Sequence, residues 1–561
     1  MFDFIVVGSG PAGACLASRL AKSRKAPNVL LLEAVSAIDV SNPNILAERY
    51  SSFMQYQSWG YKTVPQEHAE SRELDYSRGK AFGGTSTINF AAWSVGPKDD
   101  YDRWAAEVGD AAFDWEHCIR YRKNIEAYGQ DGDSKHAKYA TPDMTVHGTD
   151  GPIRIEYPKA VEDSMTVLLE AAEECGLGVN ADTNSGNPIG LSSSPATASN
   201  GRRVTAATAY LSNPPGNLTI VGNAQVSKVI FEGKKAVGVL ANGTKYRASK
   251  DVVLSAGAID SPKILMLSGV GDSSELAEVG IDAFHHLPGV GKNLQDHYFT
   301  PFSWRQTDNL TAWSAFYSDP AVVKAGYEQF SQDGTGPLSV FYQGLCMGYF
   351  KADEFLRTKE FAELPTHVQD HIRKPTVPLW EFATSLPPLQ PEPLADAKHT
   401  YLTTAVILQC PQSRGTVKLA SADPQSGPLI DTNFFSSPFD IQVAIAATRL
   451  VMDYVETPLI KKDIIAPFHV PASRSDEDIV AFWRAFGVAT WHASCTVKMG
   501  KADEPDACLD SDFRVFGLCN LRIVDLSTTP FLPNCHTQAI AYFTGECAAV
   551  NMIEEYGLDL E

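Results

Sequence analysis

The segment Phe4-Ile-Val-Val-Gly-Ser-Gly-Pro-Ala-Gly13 places a short apolar run directly before three glycines. Apolar residues then recur at helical spacing, so the pattern predicts a strand, a tight loop and a helix. In such a loop Gly8 permits the turn, Gly10 lets the backbone approach a pyrophosphate, and Gly13 lets the helix pack on the strand. The helix N-terminus then faces the anion.

A second apolar run, Val29–Leu32, ends at Glu33, which follows the last glycine by about 20 residues. An acid at this distance in a strand–helix–strand unit accepts a hydrogen bond from a ribose hydroxyl. The loop, helix and acid together predict a bound dinucleotide, with Ser9, Ala12 and Ala34 beside it. The motif by itself leaves FAD and NAD open.

Charge and length restrict the function further. The 561 residues carry 47 Lys and Arg against 67 Asp and Glu, a net charge of −20. Nucleic-acid binding needs concentrated basic side chains, so no nucleic-acid partner is expected. No apolar run reaches about 18 residues, which predicts no membrane span. The length predicts two to four domain-sized units, or two large ones interleaved along the chain.

The ten cysteines contain no C-x-x-C pair, which argues against zinc-knuckle and redox motifs, and no metal site is predicted. Their wide spacing favours free thiols in a reducing compartment. The first strand begins at Phe2, which leaves no room for a secretory leader. We therefore predict a cytoplasmic location, although a secreted chain whose leader had been removed would begin in the same way.

Three further segments carry information. Arg78–Asn89 combines a Gly-Gly pair with small hydroxyl residues, a composition that lets backbone approach a flat ligand. Ser255–Gly271 follows a buried strand through a turn into a helix that ends at glycine, and Leu287–His297 comes next. With the first loop, these segments resemble the glucose–methanol–choline (GMC) oxidoreductase family, over nearly the whole chain and closest in motif to its aryl-alcohol oxidase-like members.

The resemblance implies an α/β fold in which a Rossmann-like FAD-binding domain is interleaved with an α+β substrate domain built on an antiparallel sheet. The order of the motifs assigns residues 1–155, 200–297 and 488–561 to the FAD-binding domain. Residues 156–199 and 298–487 fall to the substrate domain. The proline-rich stretch Pro375–Pro393 is interpreted as a loop over the substrate entrance or an interdomain connection.

The resemblance also implies which residues contact FAD. Gly8, Gly10 and Gly13 would hold the pyrophosphate and Glu33 the adenosine ribose. The other implied contacts are Thr85, Asn89, Phe90, Ala91, Ala92, Val226, Asp525, Thr537 and Gln538. Family members that attach the flavin covalently through this loop have a histidine beside the asparagine, where this chain has Ile88. Non-covalent FAD is therefore expected.

Two of the 13 histidines stand in segments that resemble the family's active site. His492 follows Trp491, and His536 lies in Asn534–Ile540. Hydride transfer from an alcohol carbon to flavin N5 leaves a proton on oxygen, which a neutral imidazole is suited to accept. The resemblance implies His492 as general base and His536 as the residue that orients the hydroxyl. Histidine at this second position favours an alcohol over a carboxylate substrate.

Trp93 and Trp491 are candidates for a wall that stacks on a planar substrate, since aryl-alcohol oxidases also place an aromatic residue just before the histidine. This favours an aromatic or furan-type primary alcohol, oxidised to the aldehyde, with oxygen reoxidising the flavin. Two alternatives stay open. One is a dehydrogenase of the same fold that uses a quinone, and the other is a non-redox FAD-containing lyase or cyclase.

The chain departs from the family pattern at three places near the flavin. Ala493 stands where proline is common, Cys495 where glycine is usual, and Val95 where an arginine commonly precedes the glycine. Cys495 is interpreted as a small packed thiol rather than a nucleophile, because no flanking cation other than His492 lowers its pKa.

Overall fold

A five-stranded parallel sheet forms the first layer of the molecule. Its strand order is Leu521–Ile523, Val252–Leu254, Phe4–Val7, Val29–Leu32, Leu218–Val221. Every residue of Phe4–Val7 and Val29–Leu32 is buried, as the continuous apolar runs of parallel strands require. This confirms the predicted Rossmann-like layer. In this computed structural model the described residues are 1–36, 45–52, 58–130, 132–159, 161, 163–307, 316–340, 346–386 and 400–559.

The first helix, Pro11–Lys22, packs against the last, Gln538–Glu555. A Cβ on Gly13 would lie 2.1 Å from the carbonyl oxygen of Gly8, and Gly8 itself has φ of +98°. The turn and the seating of the helix therefore both require glycine.

A six-stranded antiparallel sheet forms the second layer, which confirms the predicted substrate-side architecture. Its order is Cys346–Phe350, Trp380–Leu386, Thr400–Leu408, Tyr298–Gln306, Ile464–His469, and Val488–Ala489 also pairs with Tyr298–Gln306. Three helices pack on one face of this sheet: Asp163–Glu174, Pro438–Val455 and Asp476–Phe486.

The two faces of this sheet have different roles, because side chains alternate along a strand. Phe302, Phe382 and Val406 point into the core beneath the helices. The odd-numbered neighbours point the other way. Phe299, Glu381, Ala383, Ala405 and Ile407 line a cavity between the two layers.

Smaller sheets complete the fold. They comprise Val226–Glu232, Lys235–Ala241 and Thr244–Arg247; Glu126–Tyr128, Ile153–Glu156, Ala196–Ser199 and Arg202–Arg203; Val270–Gly271 with His285–His286; and Thr416–Lys418 with Leu429–Asp431. A further strand is Gly190–Ser193. The predicted boundaries at 155/156 and 199/200 fall within the second of these sheets, whose strands pair across them.

The remaining α-helices of the described residues are Arg49–Ser52, Lys98–Val108, Trp115–Ile125, Gly257–Leu267, Ser273–Glu278, Pro320–Asp333, Pro337–Val340, Lys359–Ala362, Thr366–Ile372 and Pro458–Lys461. Within the described ranges, none of the helices combines the length and the apolar character needed to cross a bilayer. All ten cysteines are free thiols. Residues 387–399, which include the end of the proline-rich stretch, lie outside the described residues.

Candidate active site

A long cavity joins the carboxyl end of the parallel sheet to the antiparallel sheet. At one end its lining includes the glycine loop Gly8–Ala12, Glu33 and Val226. At the other end it includes Trp491, His492, His536 and the odd-numbered face of the antiparallel sheet. Ligands of open α/β sheets bind at this carboxyl edge, so the cavity has the position of a nucleotide site that continues into a second pocket.

The nucleotide end is built around Glu33 and Ser9. The backbone nitrogen and the hydroxyl of Ser9 donate to Oε2 of Glu33 over 3.0 and 2.6 Å, and the backbone nitrogen of Ala34 donates to Oε1 over 2.7 Å. Ser9 Oγ also accepts from the nitrogen of Gly83 at 3.2 Å, which joins the two glycine-rich segments. The carboxylate is thus fixed at the cavity wall, at the end of the second strand.

Gly10 leaves the backbone open at the N-terminus of the first helix. A Cβ at this position would meet no protein atom within 4 Å, so the space beside it belongs to the cavity. Backbone nitrogens at a helix N-terminus and open space without a side chain are what a pyrophosphate needs. The residues present therefore fit the pyrophosphate and ribose of a dinucleotide.

The structure brings together nearly all residues predicted to contact the cofactor. The cavity lining contains Gly8, Ser9, Gly10, Ala12, Glu33, Ala34, Thr85, Asn89, Phe90, Ala91, Ala92, Val226, Asp525, Thr537 and Gln538. Gly13 is not part of the lining, because it faces the Gly8 carbonyl and Ser255. Ile88 is buried away from the cavity.

Asn89 is held by three neighbours. Its amide nitrogen donates to Oε1 of Gln538, and its Oδ1 accepts from Arg203 at 2.7 Å and from the nitrogen of Ala91 at 3.1 Å. Asp525 makes a similar link. Its Oδ2 accepts from the backbone nitrogen of Gly257 at 2.9 Å and from the Ser261 hydroxyl at 2.6 Å. Segments distant in sequence are therefore tied to one another along the cavity.

His492 and His536 lie side by side, with ring centroids 5.0 Å apart. Burial lowers the pKa of His492, and the neighbouring His536, His297 and Arg78 lower it further, well below the usual range of histidine. His492 is therefore neutral at physiological pH and able to accept a proton. Its backbone nitrogen donates to Oδ1 of Asp296 over 2.8 Å.

Two residues of the Leu287–His297 segment support His492, and the sequence did not reveal this role. Nδ1 of His297 lies 2.9 Å from Nδ1 of His492. Asp296 also accepts from the Tyr76 hydroxyl at 2.5 Å, and burial raises the pKa of Asp296 to about 6. The segment was visible as a motif, but its contact with His492 depends on the folded chain.

Glu381 is a second functional residue that sequence reasoning missed. Its Oε1 lies 2.9 Å from Nε2 of His536, and its Oε2 accepts from the Gln409 amide at 3.2 Å. Glu381 is completely buried, so its contacts with these groups replace water. A carboxylate accepts from this nitrogen, which fixes the orientation of the His536 ring.

The aromatic wall differs from the prediction at one of its two tryptophans. Trp491 lines the cavity, and its ring centroid lies 6.2 Å from that of Phe90 and 6.0 Å from that of Phe299. The prediction for Trp93 was wrong. Its ring lies in the core and its Nε1 donates to Glu126 over 3.1 Å. Ala92 lines the cavity and pairs with Ala196 as a β-bridge, so the next side chain points to the opposite side.

Cys495 occupies a backbone conformation that favours glycine, with φ of +72°. This is the position at which the family pattern has glycine, so the departure carries local strain. The thiol is fully buried beside the Thr529 hydroxyl at 3.2 Å, and burial raises its pKa to about 12. The raised pKa favours the protonated thiol at neutral pH, as expected of a packed thiol.

A buried ion pair anchors the loop that carries His536. Oδ2 of Asp100 accepts from the backbone nitrogen of Asn534 at 2.7 Å, and Oδ1 lies 3.0 Å from Nε2 of His371. Burial alone would lower the pKa of His371, but its contacts with Asp100 and Cys410 raise it to about 9. The pair therefore links the helix Thr366–Ile372 to the active-site loop.

This ion pair predicts a pH-dependent stability. Because the pKa of His371 is about 9 in the folded chain and about 6.5 when unfolded, the stabilisation is complete below about pH 6.5 and is lost as the pH rises through 9. In thermal unfolding, we expect the melting temperature of His371→Gln to lie well below that of the wild type at pH 6. The two melting temperatures should converge by about pH 10. His117→Gln, at an exposed pair with Asp114, is the control. A constant difference across this range would contradict the prediction.

The chain is similar to known proteins over nearly its whole length. The GMC oxidoreductase family models match residues 2–299 and 411–545. Patulin synthase of Aspergillus clavatus is 32% identical, over 98% of this chain and 91% of its own length. An alcohol dehydrogenase [acceptor] of Pseudomonas putida is 32% identical, over 98% and 95%. An FAD-dependent oxidoreductase from Chaetomium thermophilum shares the fold with a TM-score of 0.88, 26% identity and 100% of both chains covered.

Proposed function

The chain belongs to the GMC oxidoreductase family and is an FAD-dependent oxidoreductase acting on alcohols, and we propose that its substrate is an aromatic or furan-type primary alcohol. The product is the aldehyde, the FAD is non-covalent, and oxygen is the terminal electron acceptor. The observation that carries the proposal is a neutral, buried His492 beside His536 at the aromatic end of a cavity whose other end fits a dinucleotide.

The residues that would hold FAD are grouped at three places along the cavity. Gly10 and the first helix N-terminus would bind the pyrophosphate, Glu33 the ribose, and Asn89 with its neighbours the flavin. Bound FAD supplies a hydride acceptor for the alcohol carbon. Ile88 supports non-covalent binding, since it offers no nucleophile and is buried outside the cavity.

The protein's own contribution is to orient the alcohol and to take its proton. His536, fixed by Glu381, hydrogen-bonds the substrate hydroxyl. His492 accepts the hydroxyl proton at Nε2, because its Nδ1 is engaged by His297. Its lowered pKa keeps this nitrogen unprotonated before the reaction. General-base catalysis of this kind contributes about 10²–10⁴ to the rate.

The wall of the second pocket supports a planar apolar substrate. Its aromatic members are Phe90, Phe299 and Trp491, and its aliphatic members are Met347, Ala383, Ala405 and Ile407. Such a surface excludes water and offers ring faces and edges for stacking. The buried Glu381 carboxylate disfavours a carboxylate substrate at the same place, because like charges repel.

Anaerobic mixing with a panel of alcohols tests the proposal. Benzyl and furfuryl alcohols are expected to bleach the flavin, and air is expected to restore the colour with release of peroxide. Recovery that needs a quinone would identify a dehydrogenase instead. Absence of bleaching with every alcohol would overturn the proposal in favour of a lyase or cyclase. The panel should include glucose and choline as alcohols without an aromatic ring.

The two tryptophans give a matched test of the substrate wall. Trp491→Phe is expected to raise KM for benzyl alcohol about two- to tenfold, since an aromatic contact is worth about 0.5–1.5 kcal/mol. Trp93→Phe is expected to leave KM unchanged and to lower the melting temperature, because its indole lies in the core and bonds Glu126. Steady-state kinetics and thermal unfolding measure both. Equal effects of the two changes on KM would contradict the assignment.

A further inference from the structure

His297 is a buried imidazole that contacts the proposed base directly. It is completely buried, and its Nδ1 lies 2.9 Å from Nδ1 of His492. Two neutral imidazoles can share a hydrogen bond in this way only if one Nδ1 carries the hydrogen and the other accepts it. The contact therefore couples the tautomers of the two rings.

The direction of this hydrogen bond follows from the chemistry that His492 has to perform. A neutral His492 that accepts a proton at Nε2 carries its own hydrogen on Nδ1. That N–H then donates to Nδ1 of His297. His297 in turn carries its hydrogen on Nε2, which is buried and has no hydrogen-bond partner among the described residues.

We propose that His297 is the positioning residue of the active site: as a neutral acceptor it holds His492 in the Nδ1–H tautomer and stabilises the imidazolium that forms when His492 takes the substrate proton. The proposal rests on the proposed role of His492 as base. It assigns to an uncharged imidazole the place that a carboxylate holds behind the histidine of many catalytic triads.

The groups around the pair support a neutral acceptor. Burial lowers the pKa of His297 well below its usual range, and the neighbouring His536 lowers it further. Arg78 faces His492 with a positive charge. The nearby carboxylates are engaged elsewhere: Asp296 accepts from the backbone nitrogen of His492, and Glu381 contacts His536.

The two active-site histidines therefore differ in the group that contacts the ring of each. The ring of His536 contacts a carboxylate, since its Nε2 lies 2.9 Å from Oε1 of Glu381. Nδ1 of His492 contacts His297 and, among the described residues, no carboxylate, so His492 stays a free base at neutral pH while its orientation is fixed. A carboxylate in place of His297 would hold the same tautomer but would favour protonation before substrate arrives.

Three substitutions of His297 separate positioning from a structural role. In FAD-loaded enzyme, His297→Asn retains an acceptor oxygen near the position of Nδ1 and should keep anaerobic flavin reduction within about fivefold of wild type. His297→Leu removes the acceptor and should slow it at least tenfold. His297→Asp should raise the pH at which reduction reaches half its maximum by about 1 to 3 units, as expected for a histidine beside a carboxylate.

Imidazole ¹⁵N chemical shifts of the resting holoenzyme provide a readout that is independent of turnover and of the leucine variant's folding. We expect a protonated Nδ1 in His492 and an unprotonated Nδ1 in His297. The opposite pattern, or a His297→Asp enzyme with an unmoved pH profile, overturns the proposal. If His492→Ala reduces its flavin as fast as wild type, the proposed base is wrong; if only the His297 predictions fail, the base stands and its positioning does not.

Discussion

His492→Ala is expected to slow anaerobic flavin reduction by alcohol about 10²–10⁴-fold, the contribution of a general base. The change removes the neutral imidazole that lines the cavity beside His536. Flavin content should stay near that of wild type, because the contacts proposed for FAD come largely from the glycine loop, Glu33 and Asn89. Stopped-flow absorbance of the bound flavin measures the rate directly.

Two controls define what this result means. His286→Ala changes an exposed histidine that does not line the cavity and should leave reduction unchanged. His536→Asn keeps a hydrogen-bonding side chain at the orienting position and should cost about tenfold, less than the loss of the base. Unchanged reduction in His492→Ala would remove this residue from the role of base, and a greater loss in His536→Asn would exchange the two roles.

The local sequence predicted those parts of the fold and site that depend on neighbouring residues. The first glycine loop and the acid after the second strand stand in a short segment whose spacing carries the chemistry, whereas the two histidines were assigned because their segments resemble the family's active site. The parallel layer followed for the same reason, since its strands are continuous apolar runs. These features need no knowledge of which distant segments meet.

Glu381 and His297 required the folded chain. Glu381 pairs with Ile407, which in turn pairs with Phe299, so one row of the antiparallel sheet delivers a carboxylate and two apolar side chains to the cavity. Strand alternation could have placed Glu381 on the same face as its neighbours, but no local signal distinguishes it from a surface acid. The prediction for Trp93 was wrong for a related reason: Trp93 follows Ala92, which lines the cavity, and its side chain points to the opposite side of the chain, where Nε1 bonds Glu126.

Gly10→Ala is expected to weaken FAD binding about 10- to 100-fold while leaving the apoprotein as stable as wild type. The backbone at Gly10 has φ of −64° and ψ of −177°, which alanine adopts without strain. A methyl group there meets no protein atom within 4 Å, so its only cost is the space it takes from the pyrophosphate. A contact of this kind costs roughly 1–3 kcal/mol.

Two further glycines make the test specific. Gly13→Ala should destabilise the apoprotein itself, since the new Cβ would lie 2.1 Å from the Gly8 carbonyl oxygen. Gly178→Ala adds the same methyl to open space outside the cavity and should alter neither property. Titration of each apoprotein with FAD and thermal unfolding without it separate the two effects. If Gly10→Ala bound FAD as tightly as Gly178→Ala, the pyrophosphate would not lie against this backbone, and the open helix N-terminus would need another ligand.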